Sequence, residues 1–501
     1  MRIPPSADAA LVKALAKKMR LLVIFLIFMH FVMVVYLLLI VSTMFMALSA
    51  DLASTNLFMP KISLPLLVVV LFMYVVALAL AILMYRRRSR QIIPVVSARN
   101  VPPSLWNDAL IASMNLVQIG CQSYQTYWMF DGLMNLASIL SYGVLVILYC
   151  FLSPATLFLQ DRRVKTTVAN AQDAVFCVVL TGGHPILSIL SAFLKFILID
   201  PSMANDNAWA TEGLLTARML VPTSAFDLMA KLVMYLTTAV SLRKATVDLC
   251  DATNASVLLL YRRRHLHLNA ILCYTWGIAV AIAMCRAVGF RQPCPSHCIT
   301  HAYPMFDLSC RCTYANINCA RLDIDDPSPL LDPGKIGTNL FYLQTSCCPL
   351  RDGLPKEMLE PFLQLSQISL FFTEMQSWNG PLPSTVNNVE IRHSHLQTIP
   401  RAFVQEIPNN LVAIQLEACP LRYIPDAVFE TWGNVLRVAF INVSLTQVPK
   451  LPFQLDKPPR SEPSHEPTHG DPMDSSAAGR FCRFKWQSYP FHDSNHRPTT
   501  H

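Results

Sequence analysis

The sequence predicts an all-α polytopic membrane helix bundle of five to seven spans, followed by an α/β repeat solenoid with a cysteine-rich N-terminal cap. Hydrophobic residues make up 53% of the 501 residues and charged residues only 14%, whereas about a quarter of a typical soluble protein is charged. The apolar excess lies almost wholly before residue 290. A cysteine cluster and a repeated apolar pattern follow it.

A helix needs about 20 apolar residues to cross about 30 Å of hydrocarbon. The run 106–130 carries six Asn, Asp or Gln residues, so it could span, re-enter or lie flat. The first run has about twice the length of a signal-peptide core and therefore predicts a retained anchor. After a basic cytoplasmic N-terminus (1–20), the predicted bundle covers 21–290, with spans near 21–47, 62–85, 106–130, 133–158, 174–199, 222–242 and 270–288.

The run 222–242 is less apolar because it contains Asp227 and Lys231, one helical turn apart. This spacing puts both side chains on one face, where each neutralises the other. We interpret them as a structural intramembrane pair in a packed helix; the alternative is part of an ion or substrate path. Gly182-Gly183-His184-Pro185 predicts a kink at which small residues allow close helix packing.

Basic residues flank the predicted spans asymmetrically. Clusters precede the first span, follow the second, follow 133–158 and precede the last, whereas the loops 49–61 and 201–221 carry few positive charges. Lys and Arg concentrate on the cytoplasmic side, so we expect a cytoplasmic N-terminus and an odd number of spans, five or seven. The C-terminal part is then extracellular at the plasma membrane, with an endomembrane as the alternative.

Seven cysteines crowd into the segment just past the last span, and the predicted cap covers 291–339. Such a cluster indicates disulfides in an oxidising compartment. Their connectivity stays open; because seven is odd, either Cys419 or Cys482 completes a pair or one thiol remains free. The alternative, a zinc site that includes His301, leaves three cysteines unexplained and conflicts with the predicted side. The disulfide and cap residues are Cys294, Cys298, Cys310, Cys312, Cys319, Cys347 and Cys348.

From residue 340 onward, apolar residues recur at relative positions 1, 4, 6 and 11, in copies that step by 25, 21, 25 and 24 residues. This period lies in the range of leucine-rich repeats. In that architecture each copy is a strand, a turn and a convex return segment, and stacking of copies supplies the core. Residues 340–455 are therefore predicted to form an α/β leucine-rich-repeat solenoid. Position 9, usually Asn or Cys in the family, is Cys348, Thr373, Ser394, Cys419 and Val443.

The spacing Cys294-x3-Cys298, then Cys310-x-Cys312-x6-Cys319, resembles the N-terminal cap of extracellular leucine-rich-repeat domains. The whole chain resembles the multi-pass membrane proteins of oomycetes that carry a C-terminal leucine-rich-repeat ectodomain. That resemblance implies the domain order but no defined activity. Seven-helix receptors with leucine-rich repeats carry the repeats before the helices, so the order here argues against that identity.

Outward-facing strand residues of such a solenoid line a concave surface. Their mixture of charged and apolar groups suits a protein or peptide ligand, and an ordinary solvated face is the alternative. Asn442-Val-Ser444 is a glycosylation sequon on the predicted outer side, and Asn254-Ala-Ser256 lies on the inner side, so only Asn442 is expected to carry sugar. The predicted ligand-binding residues are Phe371, Glu390, Arg392, Gln415, Glu417, Arg437 and Ile441.

The sequence contains none of the common hydrolase, phosphate-binding or kinase motifs, so we expect no enzymatic activity, catalytic residue, cofactor or metal. Basic clusters beside apolar runs indicate membrane lipids, and not nucleic acid, as partners. The polar tail 456–501 is predicted to be disordered. We expect a receptor-like or adhesion and scaffold role through the repeats. The alternative is a transporter or channel with a regulatory repeat domain, which requires a continuous polar cavity in the bundle.

Overall fold

The computed structural model describes residues 5–46, 57–90, 105–132, 135–155, 162–250, 263–433 and 435–446. The chain divides into two compact units. The helical unit comprises Met1–Gln292 and also Ala302–Leu308, which the sequence assigned to the cap. The sheet unit comprises Pro293–His301 and Ser309–His501. The predicted tail, Cys482 and the Asn254 sequon lie outside the described residues.

Long helices build the first unit, where the sequence has its apolar runs. The described residues include six that are long and apolar enough to cross a membrane: Arg20–Met46, Pro60–Arg87, Leu136–Ala155, Val168–Ile199, Ala225–Val247 and Leu268–Gly289. The helices are α1 (Pro5–Met46), α2 (Pro60–Arg90), α3 (Leu105–Gly132), α4 (Leu136–Ala155), α5 (Arg162–Val178), α6 (His184–Leu194), α7 (Asn207–Leu220), α8 (Ala225–Cys250) and α9 (Arg263–Gly289).

The polar run that the sequence left ambiguous is one uninterrupted helix, α3, of 28 residues, and not a re-entrant hairpin. Its amides point into the bundle: Gln118 and Gln122 are buried, while Leu116 and Val117 are exposed. Gln118 Nε2 donates to Thr238 Oγ1 of α8 at 3.5 Å. α3 thus has the same polarity as its neighbours, with polar groups inside and apolar groups outside.

Apolar side chains cover the outside of the helical unit. Phe28 of α1, Val69 and Phe72 of α2 and Phe193 of α6 are each more than half exposed. An aqueous surface rarely carries contiguous apolar patches of this kind, whereas lipid tails solvate them. This exterior, together with six helices that could cross a membrane, indicates a membrane protein.

The predicted kink is a π-helical turn, Val179–Gly183, between α5 and α6. Pro185 lacks an N–H and its ring crowds the preceding turn, which makes the regular α-helical ladder impossible there. A Cβ on Gly182 would lie 2.8 Å from Met33 Sδ and 3.3 Å from Tyr36 Cδ1. The small residue therefore lets this turn pack against α1. A second π-helical turn, Lys195–Ile199, and a 3-10 turn, Pro201–Asn205, follow α6.

The second unit contains a mixed sheet of seven strands in chain order. β1 pairs antiparallel with β2, and every later neighbour pairs in parallel. Inward residues of the strands, such as Ile368, Leu370, Val389 and Leu416, are fully buried. The strands are β1 (Cys298–His301), β2 (Cys312–Asn318), β3 (Tyr342–Ser346), β4 (Gln367–Phe371), β5 (Asn388–Arg392), β6 (Ala413–Glu417) and β7 (Arg437–Ile441).

Short helical turns and extended segments return the chain from one strand to the next. The short helices are α10 (Cys319–Leu322), α11 (Pro333–Ile336), α12 (Lys356–Leu359) and α13 (Asp426–Thr431). The fully buried Trp378 donates its Nε1–H to Leu354 O at 2.9 Å, and Trp432 donates to Phe403 O at 2.7 Å. Each indole therefore satisfies a carbonyl of the preceding return segment.

Substitution of Gly353, which lies against the Trp378 ring, tests this packing. Its φ is +74°, and an added Cβ would lie 2.5 Å from Trp378 Cγ. Gly353→Ala is expected to lower the free energy of unfolding of the sheet unit by at least about 2 kcal/mol, because it combines a left-handed backbone with overlap in a packed core. The measurement is proteolysis of full-length protein in detergent at increasing urea concentration.

Gly433→Ala is the matched control, because its Cβ would meet nothing closer than 3.6 Å and its φ is not in the left-handed region. We expect this variant to change the free energy of unfolding by less than about 1 kcal/mol. Equal losses in both variants would contradict the packing described for Trp378.

Candidate functional site

The outward side chains of β4–β7 form one continuous surface, here called the outward face. Because the strands pair in parallel without a register shift, equivalent positions are neighbours across the sheet. All seven predicted ligand-binding residues lie on these strands at outward positions. One row is Phe371, Arg392, Glu417 and Ile441; the second is Ser369, Glu390, Gln415 and Ala439; the third is Gln367, Asn388, Ala413 and Arg437.

A polar network, here called the Arg392 cluster, lies at the middle of this face. Arg392 forms ion pairs with Glu390 and, at 3.0 Å from Nε to Oε2, with Glu417. Ser369 Oγ donates to Glu390 Oε2 at 3.3 Å, and Gln415 Nε2 donates to Glu417 Oε2 at 3.4 Å. Two carboxylates face one guanidinium, so these five side chains carry a net charge of −1. Glu390 and Glu417 are 16% and 26% exposed in their side chains, which leaves them open to a ligand.

Aromatic rings border the Arg392 cluster on the side of the earlier strands. The Arg392 guanidinium lies 5.3 Å from the centre of the Phe371 ring, within cation–π range. Tyr342 OH donates to Ser369 Oγ at 2.9 Å, and its ring stacks on Tyr314 at 4.7 Å. Burial raises the pKa of the Tyr342 hydroxyl above its ordinary value, so it acts as a neutral donor. These contacts hold the charged cluster in one geometry.

The face becomes more exposed at β7. Arg437 is exposed, and Ile441 is 44% exposed. Asn442, directly after the strand, is exposed with a φ of 51°, a conformation that asparagine tolerates. Ser444 is exposed as well. The predicted sequon is therefore accessible on the surface of its unit.

A left-handed residue follows each of the last five strands, and its N–H continues the parallel ladder by one bond where the next strand is present. At the next position, Ser394 Oγ accepts from Leu396 N at 3.4 Å and Cys419 Sγ donates to Glu417 O at 3.3 Å. Ser and Cys thus bind turn backbone, the role that Asn or Cys has in the predicted pattern. The left-handed residues are Cys347, Phe372, His393, Ala418 and Asn442, with φ between 51° and 54°.

Three disulfides join cysteines of the predicted cluster: Cys294–Cys310, Cys298–Cys312 and Cys319–Cys348. Cys347 is disulfide-bonded too. The hypothesis that Cys419 completes a pair is wrong, because its thiol is free and buried. Burial raises the pKa of that thiol, which makes it a poor nucleophile.

The zinc alternative conflicts with these disulfides. Cys294, Cys298 and His301 do lie close enough together to hold a metal ion. However, both cysteines are in disulfides, and a zinc ligand must be a thiolate. The arrangement therefore favours disulfides over a metal site at these residues.

The intramembrane pair forms as predicted. Lys231 Nζ lies 2.7 Å from Asp227 Oδ2, and both side chains are buried. Lys231 also donates to Val221 O at 2.7 Å, and the Thr223 N–H donates to Asp227 Oδ2 at 3.0 Å. Asp227 lies in the first turn of α8, where a carboxylate stabilises the exposed N–H groups of a helix. This geometry supports a structural role for the pair.

Sequence reasoning missed Tyr342, which donates to Ser369, and Tyr314, which stacks on Tyr342. Tyr314 belongs to β2, a strand inside the segment assigned to the cap, where the cysteine pattern dominated the interpretation. Tyr342 occupies the same strand position as Gln367 of β4. The copy of the repeat that begins at residue 340 places Tyr342 at an outward strand position, and this was the signal that could have found it.

The chain was compared with models of protein families, with curated proteins and with solved structures, and nothing matches. Function therefore has to be inferred from the geometry of the two units.

The buried pair gives a direct prediction. Lys231→Met leaves the Asp227 carboxylate buried without its counter-charge, and such losses cost about 3–5 kcal/mol. We expect the melting temperature in detergent and the yield of folded protein to fall sharply. The double variant Asp227→Asn with Lys231→Met keeps an acceptor for the Thr223 N–H and buries no charge. It should therefore recover most of the melting temperature and yield that the single variant loses. A single variant as stable as the parent would contradict the structural role.

Proposed function

We propose that the chain is an integral membrane protein that presents a leucine-rich-repeat domain outside the cell for recognition of a protein or peptide. The observation that carries this proposal is the Arg392 cluster on the outward face of a regular parallel sheet. Its three charged side chains are bonded to one another, partly exposed and of mixed sign. Membrane lipids surround the helical unit as its other partner.

Repeated bonds between return segments support a solenoid. The N–H of Gln376 donates to Arg351 O, that of Ala402 to Trp378 O, that of Arg422 to Gln397 O and that of Thr446 to Arg422 O. Each pair is 24 or 25 residues apart, which is one copy of the sequence repeat. Strands on one side and bonded return segments on the other are what stacked leucine-rich-repeat coils require.

A seventh crossing by α3 supports an external position for the repeats. α3 and α4 are separated by three residues, 133–135, so they are neighbouring antiparallel helices. Ser123 Oγ of α3 accepts from Trp276 Nε1 of α9 at 2.8 Å, and Gln118 contacts α8. A helix whose middle is bonded to two helices that can span the membrane is expected to lie at membrane depth. With α3 the number of crossings is odd, and the basic clusters then all face the cytoplasm.

The disulfides fit the same side. Extracellular and luminal compartments maintain disulfides, whereas the cytosol keeps thiols reduced. The free cysteines among the described residues of the helical unit are Cys121, Cys150, Cys177, Cys273 and Cys285. Paired cysteines thus concentrate in the unit proposed to be outside, at the plasma membrane.

The charge of the Arg392 cluster indicates the chemistry of a partner. A net charge of −1 with Glu417 accessible favours a basic side chain, since complementary charges direct specificity at interfaces. Phe371 and Ile441 offer apolar contacts on either side of the charges. We therefore propose a peptide segment that carries a Lys or Arg beside an apolar residue.

The test is selection of a displayed random-peptide library on the purified full-length protein in detergent. Selected peptides are expected to contain Lys or Arg, and Glu417→Lys should weaken their binding at least about tenfold, because it changes the net charge of the cluster from −1 to +1. Glu430→Lys is the matched control, since this exposed residue lies on α13, away from the strands. Peptides that bind both variants equally would contradict recognition by this face.

A further inference from the structure

A small cavity lies inside the helical unit, and its lining residues come from α1, α3, α4, the π-helical turn Val179–Gly183, α6, α7 and α8. Its volume is about 50 Å³, and a buried water needs roughly 10–15 Å³ of such space. The cavity therefore accepts a molecule of a few heavy atoms. Two features that stand out in the sequence line it together, His184 after the kink and Lys231 of the buried pair.

Hydrogen-bonding capacity remains open at this cavity. The Gln125 Oε1 and Tyr142 hydroxyl oxygens are buried, and neither has a hydrogen-bond partner within the described residues. Lys231 uses two N–H bonds, to Asp227 and Val221, and an ammonium group has three. The cavity thus offers an acceptor, a hydroxyl and one further donor to a bound molecule.

The electrostatics favour an uncharged ligand. Asp227 already neutralises Lys231 at 2.7 Å. A ligand with a net charge would add an uncompensated charge at membrane depth, which is costly. His184 Nε2 contacts Ser138 O at 3.1 Å and Ser141 Oγ at 2.9 Å, so this nitrogen has partners of its own.

Most of the exposed wall is apolar, and part of it is adaptable, although hydroxyl groups of Ser138, Thr181, Ser188 and Thr216 also line it. Met129, Met219 and Met234 line the cavity with Leu180. Methionine side chains are flexible and fill irregular spaces, so they can yield to a small apolar group. An apolar wall with a few fixed polar groups is the usual composition of a small-molecule site.

We propose that this cavity binds a small uncharged amphiphile of the short-chain alcohol class. The ligand hydroxyl donates to Gln125 Oε1 and accepts a hydrogen bond from Tyr142 or Lys231, while its short alkyl part contacts the three methionines. This site belongs to the helical unit and does not depend on recognition by the sheet.

The probe is a diazirine-bearing butanol, photolysed with the full-length protein in detergent and followed by mass-spectrometric mapping of the labelled peptides. We expect saturable labelling of peptides that line the cavity. Unlabelled 1-butanol should compete with it, whereas butanoate and butylammonium should not. Labelling that does not saturate, or that spreads evenly over lipid-facing helices, would overturn the proposal, as would equal competition by the charged analogues.

Three variants make the test specific. Tyr142→Phe removes a hydroxyl that has no hydrogen-bond partner within the described residues, and Gln125→Leu removes an amide whose Oε1 also has none there, so we expect both variants to fold. One neutral hydrogen bond is worth about three- to tenfold in affinity, and we expect labelling to weaken by that factor. Thr275→Val is the control, because Thr275 is an exposed residue of α9, and its labelling should match the parent. Unchanged labelling in both cavity variants would contradict the assigned contacts.

Discussion

The parallel ladder between successive strands is the interaction on which the sheet unit depends. A single copy of the repeat has apolar residues on one side only and cannot bury them by itself. Pairing in register places each inward residue over its equivalent in the next strand, which closes the core. The same register aligns the outward residues into rows, so the Arg392 cluster is a consequence of the ladder as much as of its own charges.

In the helical unit, apolar side chains lie outside and polar groups lie inside, which is the reverse of the arrangement in a soluble domain. Lipid solvates its apolar exterior, and the polar groups collect inside, where each must find a partner. Asp227 and Lys231 neutralise each other's charge, whereas the Gln125 Oε1 and Tyr142 hydroxyl oxygens have no hydrogen-bond partner within the described residues and lie next to a cavity. These unpartnered atoms are the basis of the ligand binding that we propose for the cavity.

Apolar pattern predicted most of the architecture, because both spans and strands are encoded by where large apolar residues recur. The membrane position of the helix over residues 105–132 was ambiguous. Its glutamines are buried against other helices, and the sequence of one segment does not reveal which helices pack against it. Contacts between side chains were harder to predict from the sequence than helices and strands. The Asp227–Lys231 contact follows from helical spacing, but the Cys294–Cys310 pairing and the free Cys419 depend on distances across the fold. Residues of seven elements line the cavity, so it could not be predicted from any one of them.

The proposed recognition role requires that the sheet unit lie outside the cell. The chain carries two glycosylation sequons whose modification reports the side of the membrane on which each one lies. The measurement is the glycosidase-sensitive mass shift of the full-length protein expressed in eukaryotic cells, compared with Asn442→Gln and Asn254→Gln. An external sheet unit predicts a shift that disappears in Asn442→Gln and persists in Asn254→Gln. A shift that depends on Asn254 and not on Asn442 would place the repeats in the cytoplasm and contradict the recognition role outside the cell.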